Sequence, residues 1–304
     1  MDMSVNIENI QPANVPDIDM EKYRVNEQSL AVKIIMQVLK WFILLAFAAY
    51  TLVPLIWLFI TSLKTNGEYY ASRFAFPEVM QWGNYAKAWT QANLGRMTLN
   101  SISVALVATF ANVFIASMAS YAISRFKFRG REVLFALFSA GIMVPLNAMM
   151  VPYFMIFSKL GLLNSLNSLR ILYVAIGIPI STFIIRGFMD GFPIELEEAA
   201  YIDGCGFYGR FFKLVLPLNR TGIVTAATFQ FLTCWNEFVY ANLLVSSPEK
   251  KTIQIGVRYF TSQFATDYVT MYAAIIIAII PSVILYMFFQ EQVISGLTAG
   301  AVKG

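Results

Sequence analysis

Glu237 is the one evident acid inside a long apolar run, and an ionisable group there costs roughly 3 kcal/mol unless it faces protein or water. Asn236 and Tyr240, at i and i+4 of a predicted helix, share a face suited to sugar hydroxyls and ring surfaces. Asn147, beside Pro145 in another apolar run, is a second candidate for lining a polar path. Each has a plainer alternative. Trp235, Asn236 and Glu237 fit ties between helices, the commoner use of polar groups in lipid and the favoured reading. Asn147 equally fits local repair of the backbone ladder that Pro145 interrupts.

Other chemistries are excluded by residue type. The chain has no histidine, which removes histidine-based zinc sites and Ser-His or Cys-His catalysis. Cys205 and Cys234 give neither metal-ligand spacing nor a disulfide framework. No G-x-x-x-x-G-K-[ST] loop occurs, so the chain is not itself an ATPase. No paired carboxylates or nucleophile–base motif points to an intramembrane enzyme. The densest basic run, Arg125, Lys127, Arg129 and Arg131, is explained by topology and anionic lipid and gives no support to nucleic-acid binding.

The elements that must position these residues are membrane helices. Of the 304 residues, 58% are hydrophobic and 13% charged, with a mean hydropathy of +0.62. Soluble domains carry about a quarter charged residues, so this chain could not cover its surface in water. Six stretches suffice to cross a bilayer: about 41–63, 100–124, 133–158, 169–189, 222–245 and 270–290. Pro54, Pro145, Pro152, Pro179 and Pro281 fall within them as expected kinks. Residues 1–32, with six acids against Lys22 and Arg24, read as a polar, disordered tail, and 33–304 as one transmembrane domain. No basic n-region marks a cleavable signal, so the first span is expected to stay as an anchor. With both termini cytoplasmic, 13 of the 22 basic residues fall inside and 9 outside.

Between the fourth and fifth spans, about 190–218, lies a loop that reads as two short helices. Pro193 suits a first helical turn, and Glu195, Glu197 and Glu198 sit where the positive helix end favours anions. Gly204 can take the left-handed conformation that ends the first helix. In the second, Phe207, Phe211, Leu214 and Leu218 share a face beside Arg210 and Lys213, and Pro217 halts it. A helix pair this apolar needs a surface to pack on, either the membrane or a groove in a partner.

Glu198-Ala199-Ala200, three residues, Gly204, nine residues, then Leu214-Val-Leu216-Pro217 resembles the EAA signature of ABC importer permeases, with Leu214 for isoleucine. Met143-Val-Pro-Leu146, Val151-Pro-Tyr153, Leu160-Gly-Leu-Leu-Asn164, Trp235-Asn-Glu-Phe238 and the ending Gly296 to Gly304 narrow the resemblance to the maltose-transporter-type sugar permeases. Phe76-Pro through Asn84-Tyr85 and Trp89 also fit, so it covers residue 50 to the end. Arg220 and Thr221 stand where that family places a proline, which leaves open where the fifth helix starts.

The resemblance implies an all-α, six-span type I importer permease in a bacterial-type cytoplasmic membrane. It implies a loop that docks into ATPase subunits through Glu195, Glu198, Ala199, Ala200, Asp203, Gly204, Phe207, Arg210, Leu216 and Pro217. Implied partners are a second permease, two ATPases that bind ATP and Mg, an extracytoplasmic solute-binding protein, lipid and a sugar substrate. This chain itself is expected to bind no cofactor. The glycine-rich ending, with Gly296, Gly300 and Gly304, reads physically as a frayed end. The family places its tail toward the ATPases, with Lys303 and Gly304 as contacts. The rival reading is a self-sufficient secondary transporter or channel, which would show inverted repeats and ion-coupling acids.

Overall fold

The computed structural model describes residues 30–260 and 267–301. The polar tail expected over 1–32 lies almost wholly outside the described residues, as do Lys303 and Gly304. The chain divides into two units, through Ile56 and from Trp57 onward. Helix α1 (Leu30–Ser62) begins in the first, where each of its described side chains up to Ile56 is exposed. Thirty-three residues at 1.5 Å rise span about 50 Å, more than the roughly 30 Å of bilayer hydrocarbon.

From Trp57 onward every regular element among the described residues is helical. A short outer pair, α2 (Asn66–Ala71) and α3 (Gly83–Gln91), precedes α4 (Leu94–Arg125), α5 (Arg131–Met143), α6 (Met150–Lys159) and α7 (Leu166–Met189). The loop helices are α8 (Glu195–Ile202), α9 (Phe207–Gly209) and α10 (Leu216–Leu218). They lead into α11 (Arg220–Asn236), α12 (Val239–Leu244), α13 (Ile253–Gly256) and α14 (Tyr268–Ala301). Thus the fifth apolar stretch begins helically at Arg220, with no proline needed.

α4 packs most extensively on α7 and next on α11, while α11 also contacts α7 and α14. Small residues make these contacts close: Ser101, Ala105, Ala108, Ala116 and Ser120 of α4 and Ala273, Ala274 and Ala278 of α14 are buried. Polar side chains then cross between helices. Asn112 Nδ2 donates to the Val174 carbonyl at 2.9 Å and Gln230 Nε2 to that of Tyr173 at 2.8 Å, one turn before Pro179. They are the two carbonyls just before that of Ala175, which Pro179 leaves without its in-helix donor. Gly177 lets Gln230 reach its bond, since a Cβ there would fall 2.0 Å from Gln230 Oε1.

Three readings of the apolar stretches change. Residues 133–158 form no straight span: α5 and the segment Leu146–Lys159 meet at 92° around Val144 and Pro145. The stretch 222–245 is broken at Glu237 and Phe238, leaving α11 only 17 residues long. Among the described residues four helices are long and apolar enough to cross a membrane, or five counting the bent pair. The glycine-rich ending is helical through Ala301 rather than frayed. Propagation needs no new nucleus, so helix formers such as Leu297 and Ala299 carry the coil past Gly296 and Gly300, each about 1 kcal/mol less favourable than alanine.

Asp267 ties three segments, accepting from Lys87 Nζ, from Asn66 Nδ2 at 2.9 Å and from Thr270 Oγ1 at 2.8 Å. Burial alone would raise its pKa, but these bonds outweigh it and hold the carboxyl at about 2, against an ordinary 3.8. A pKa depressed on folding stabilises above the unfolded value and ceases to as pH falls through the folded one. Melting temperature should therefore drop between about pH 4 and pH 2. The variant D267N should be less stable at neutral pH and flatter across that window, as thermal unfolding in detergent will show.

Candidate coupling loop and polar path

Within α8 the three glutamates part company. Glu195 and Glu198 are exposed, whereas Glu197 is buried at 6% exposure. Its Oε1 accepts from Arg125 Nε at 2.5 Å and its Oε2 from the Tyr121 hydroxyl at 3.0 Å. Arg125 Nη2 also donates to the carbonyls of Met189 (3.0 Å) and Phe192 (3.1 Å), at and beyond the end of α7. One guanidinium thus joins the C-terminal ends of α4 and α7 to α8. The positive-inside turn therefore loses its first member to the interior, while Lys127 and Arg129 stay exposed.

α8 ends in a Schellman turn. Gly204 has φ +81°, its N–H donates to Tyr201 at 3.0 Å, and Cys205 N–H donates to Ala200 at 2.9 Å. Beyond it, Phe207 and Phe211 lie against Tyr121, with centroids 5.9 and 5.3 Å apart. The Arg210 guanidinium sits 5.1 Å over the Tyr201 ring and joins the two halves of the loop. The second half is not a plain α-helix. Arg210–Val215 is π-helical, so the buried side chains are Phe211 and Val215 rather than the expected Leu214. The extra residue per turn shifts the inward face by one position.

What remains outward is a coherent face. Glu195, Glu198, Ala199, Asp203, Gly204 and Pro217 are exposed, with Tyr201, Ile202 and Tyr208 exposed beside them at 66%, 84% and 75%. Phe207 is half exposed, while Ala200, Arg210 and Leu216 are intermediate. Ala199 brings no bulk above the backbone between its acidic neighbours, and Gly204 none at the turn.

The second group of residues lies at the two helix breaks. Glu237 caps α12: its carboxylate accepts from Tyr240 N at 2.8 Å and Ala241 N at 3.0 Å, and from the Tyr173 hydroxyl at 2.5 Å. Trp235 Nε1 donates to the Ala278 carbonyl at 3.0 Å. The tie reading therefore holds for Trp235 and Glu237. It does not hold for Asn236, whose side chain is exposed. Nor do Asn236 and Tyr240 share a face, because the break between them sends Tyr240 inward to 2% exposure. The Tyr240 hydroxyl donates to the Leu146 carbonyl and its ring lies 5.7 Å from that of Tyr153. That bond tethers the turn just after Pro145, while the Gly141 carbonyl that the proline orphans accepts from Val144 N–H at 3.4 Å, so Asn147 is exposed and not engaged in repair. The two breaks are thus joined, with one exposed asparagine at each.

Sequence reasoning missed the inward role of Glu197, Arg125 and Tyr121. No local pattern separates Glu197 from Glu195 and Glu198, because the distinction comes from an arginine 72 positions away.

Residues 111–298 match the family described as binding-protein-dependent transport system inner membrane component. The chain is 37% identical over 254 residues to a sulfoquinovosyl glycerol transport system permease of Agrobacterium fabrum, covering 83% of this chain and 89% of that one. It is 32% identical over 263 residues to a diacetylchitobiose uptake system permease of Streptomyces coelicolor, covering 86% and 87%. Its fold matches a chain of a bacterial ABC transporter that imports the polysaccharide alginate, with TM-score 0.76, 21% identity and coverage of 87% and 98%. With both the matched segment and its helical frame agreeing, this chain belongs to the binding-protein-dependent inner-membrane components: it is an ABC importer permease of the all-α, type I fold.

Proposed function

We propose that the chain forms half of a translocation path for a sugar or oligosaccharide and transmits ATP-driven motion to it through residues 190–218. The observation that carries this reading is the division of α8 into an anchored inner side and an exposed acidic and apolar outer side. An apolar face exposed beyond the membrane helices calls for a protein groove. The residues offered to it are Glu195, Glu198, Ala199, Ala200, Asp203 and Gly204, with Phe207, Arg210, Leu216 and Pro217 holding the face in place. The partners are two ATPase subunits, which bind ATP and Mg, a second permease and an external solute-binding protein. The distribution of basic residues supports placing both termini on the ATPase side. Relatives named for sulfoquinovosyl glycerol and diacetylchitobiose support a sugar as substrate class.

Asn147 and Asn236 are the candidate path-lining groups, each exposed beside a helix break where backbone irregularity is tolerated next to a water-filled cavity. Binding there can drive the change between outward and inward openings only if the two states differ in affinity. Gentle affinity purification of the tagged chain from native membranes tests the assembly. Stoichiometric recovery of an ATPase and a second permease is the expected result, and a lone, transport-competent chain would overturn the reading. In reconstituted vesicles, N147A and N236A should leave assembly intact and raise the half-saturating sugar concentration about tenfold, the effect of losing one or two hydrogen bonds.

A further inference from the structure

We infer that Glu197 and Arg125 are positioning residues for energy coupling: their buried pair makes α8 and the inner end of α4 move as one body. The inference rests on the coupling role proposed for residues 190–218, and concerns how the push leaves that loop. Three routes lead from α8 into the bundle. The direct chain connection runs through Asp190 to Pro193, a turn with an exposed glycine, Gly191, that offers little stiffness. The second half of the loop contributes aromatic packing, which can slide. The pair is the directional route: Arg125 and Glu197 side chains are 11% and 7% exposed, bonded at 2.5 Å.

The surroundings keep this link dry and fixed. Tyr121 holds the second carboxylate oxygen. Phe126 and Phe207 close around the Tyr121 ring at 5.4 and 5.9 Å. The void beside the pair, bounded by Pro193, Leu196 and Val215 among others, is only about 10 Å³, at the lower limit for a single water. Because Arg125 also holds the carbonyls of Met189 and Phe192, α7 is gathered by the same group. A displacement of α8 is thereby delivered to α4, the helix on which α7 and α11 pack. The three glutamates divide their labour accordingly, Glu195 and Glu198 facing the partner and Glu197 facing the load.

The test uses the assembled complex in lipid discs, with C205S and C234S removing the native thiols. Spin labels at I194C at the start of α8 and M118C on α4, both exposed sites, report the distance between the two helices with and without trapped ATP. In the wild type that distance should not change with nucleotide. In E197Q it should shift or broaden, while stimulation of ATP hydrolysis by the binding protein, used as purified, falls at least tenfold. A second variant, R125M/E197M, replaces the pair with apolar side chains and leaves no buried charge unpaired. It should assemble and show the same loss, since packing without the directional bonds does not carry the motion. An unchanged distance and unchanged stimulation in both variants overturns the inference. Failure of both to assemble also overturns it, assigning the pair to folding. A wild-type chain that recovers no ATPase instead defeats the coupling role itself, and does so before any variant is made.

Discussion

Valine in place of Gly204 is expected to cut the ATPase recovered with the complex about thirty-fold, and sugar uptake with it. The backbone there has φ +81°, and both bonds that close α8 depend on it. A residue with a Cβ, and a β-branched one most of all, is strained in this conformation by roughly 2 kcal/mol, about thirty-fold in any equilibrium that needs the turn. Nothing lies within 4 Å of a Cβ built at Gly204, so the cause is backbone strain and not a clash inside this chain. G204N should therefore retain most of the association, because asparagine tolerates the left-handed region. Co-purification of G204V, G204N and wild type side by side measures it. Equal loss in G204N would shift the cause from the turn to the space that Gly204 leaves open for a partner.

Removing the carboxylate of Glu237 should be the most damaging change in the bundle. E237A strips acceptors from two backbone N–H groups of α12 and from the Tyr173 hydroxyl at once. Hydrogen bonds to a charged group contribute about 1.5–3 kcal/mol each, so a loss on the order of 3 kcal/mol is a lower expectation. The melting temperature of the solubilised protein should fall by several degrees, and N236A, changing an exposed side chain next door, should leave it in place. E237Q keeps one acceptor and turns an NH2 group toward N–H donors, so it belongs between these two. Should E237A melt like wild type yet lose uptake, the carboxylate would belong to the transported path, and the search would turn to ion coupling.

The fold class, the permease family and the two-helix loop were legible in the sequence because they depend on local signals. Long apolar runs, a glycine at a helix end and a fixed motif spacing all act within some twenty residues. The misreadings have a common physical origin in contacts between distant segments. Asn236 and Tyr240 look like one helical face until Glu237 turns its carboxylate onto the next helix and stops the first. Asn147 looks like the natural repair for Pro145, yet it stays exposed while Tyr240, 94 positions beyond Leu146, binds the Leu146 carbonyl. Arg125 looks like one more charge in a juxtamembrane turn, and Glu197 like one more acid in a docking helix. Only their pairing reveals that one face of the loop belongs to the membrane domain, which leaves the other exposed.

The π-helical stretch Arg210–Val215 makes the loop a register device. A π turn stores one residue more than an α turn, so deleting a single residue there relaxes the coil without shortening the helix. Carried in α-helical form instead, that same residue would rotate everything downstream by about 100° relative to α8. Pro217, the start of α11 and the bonds that Asn219 and Gln230 make with α7 all inherit their azimuth from that one stored residue. Over the nine residues between Gly204 and Leu214, length therefore sets reach while the π turn sets angle.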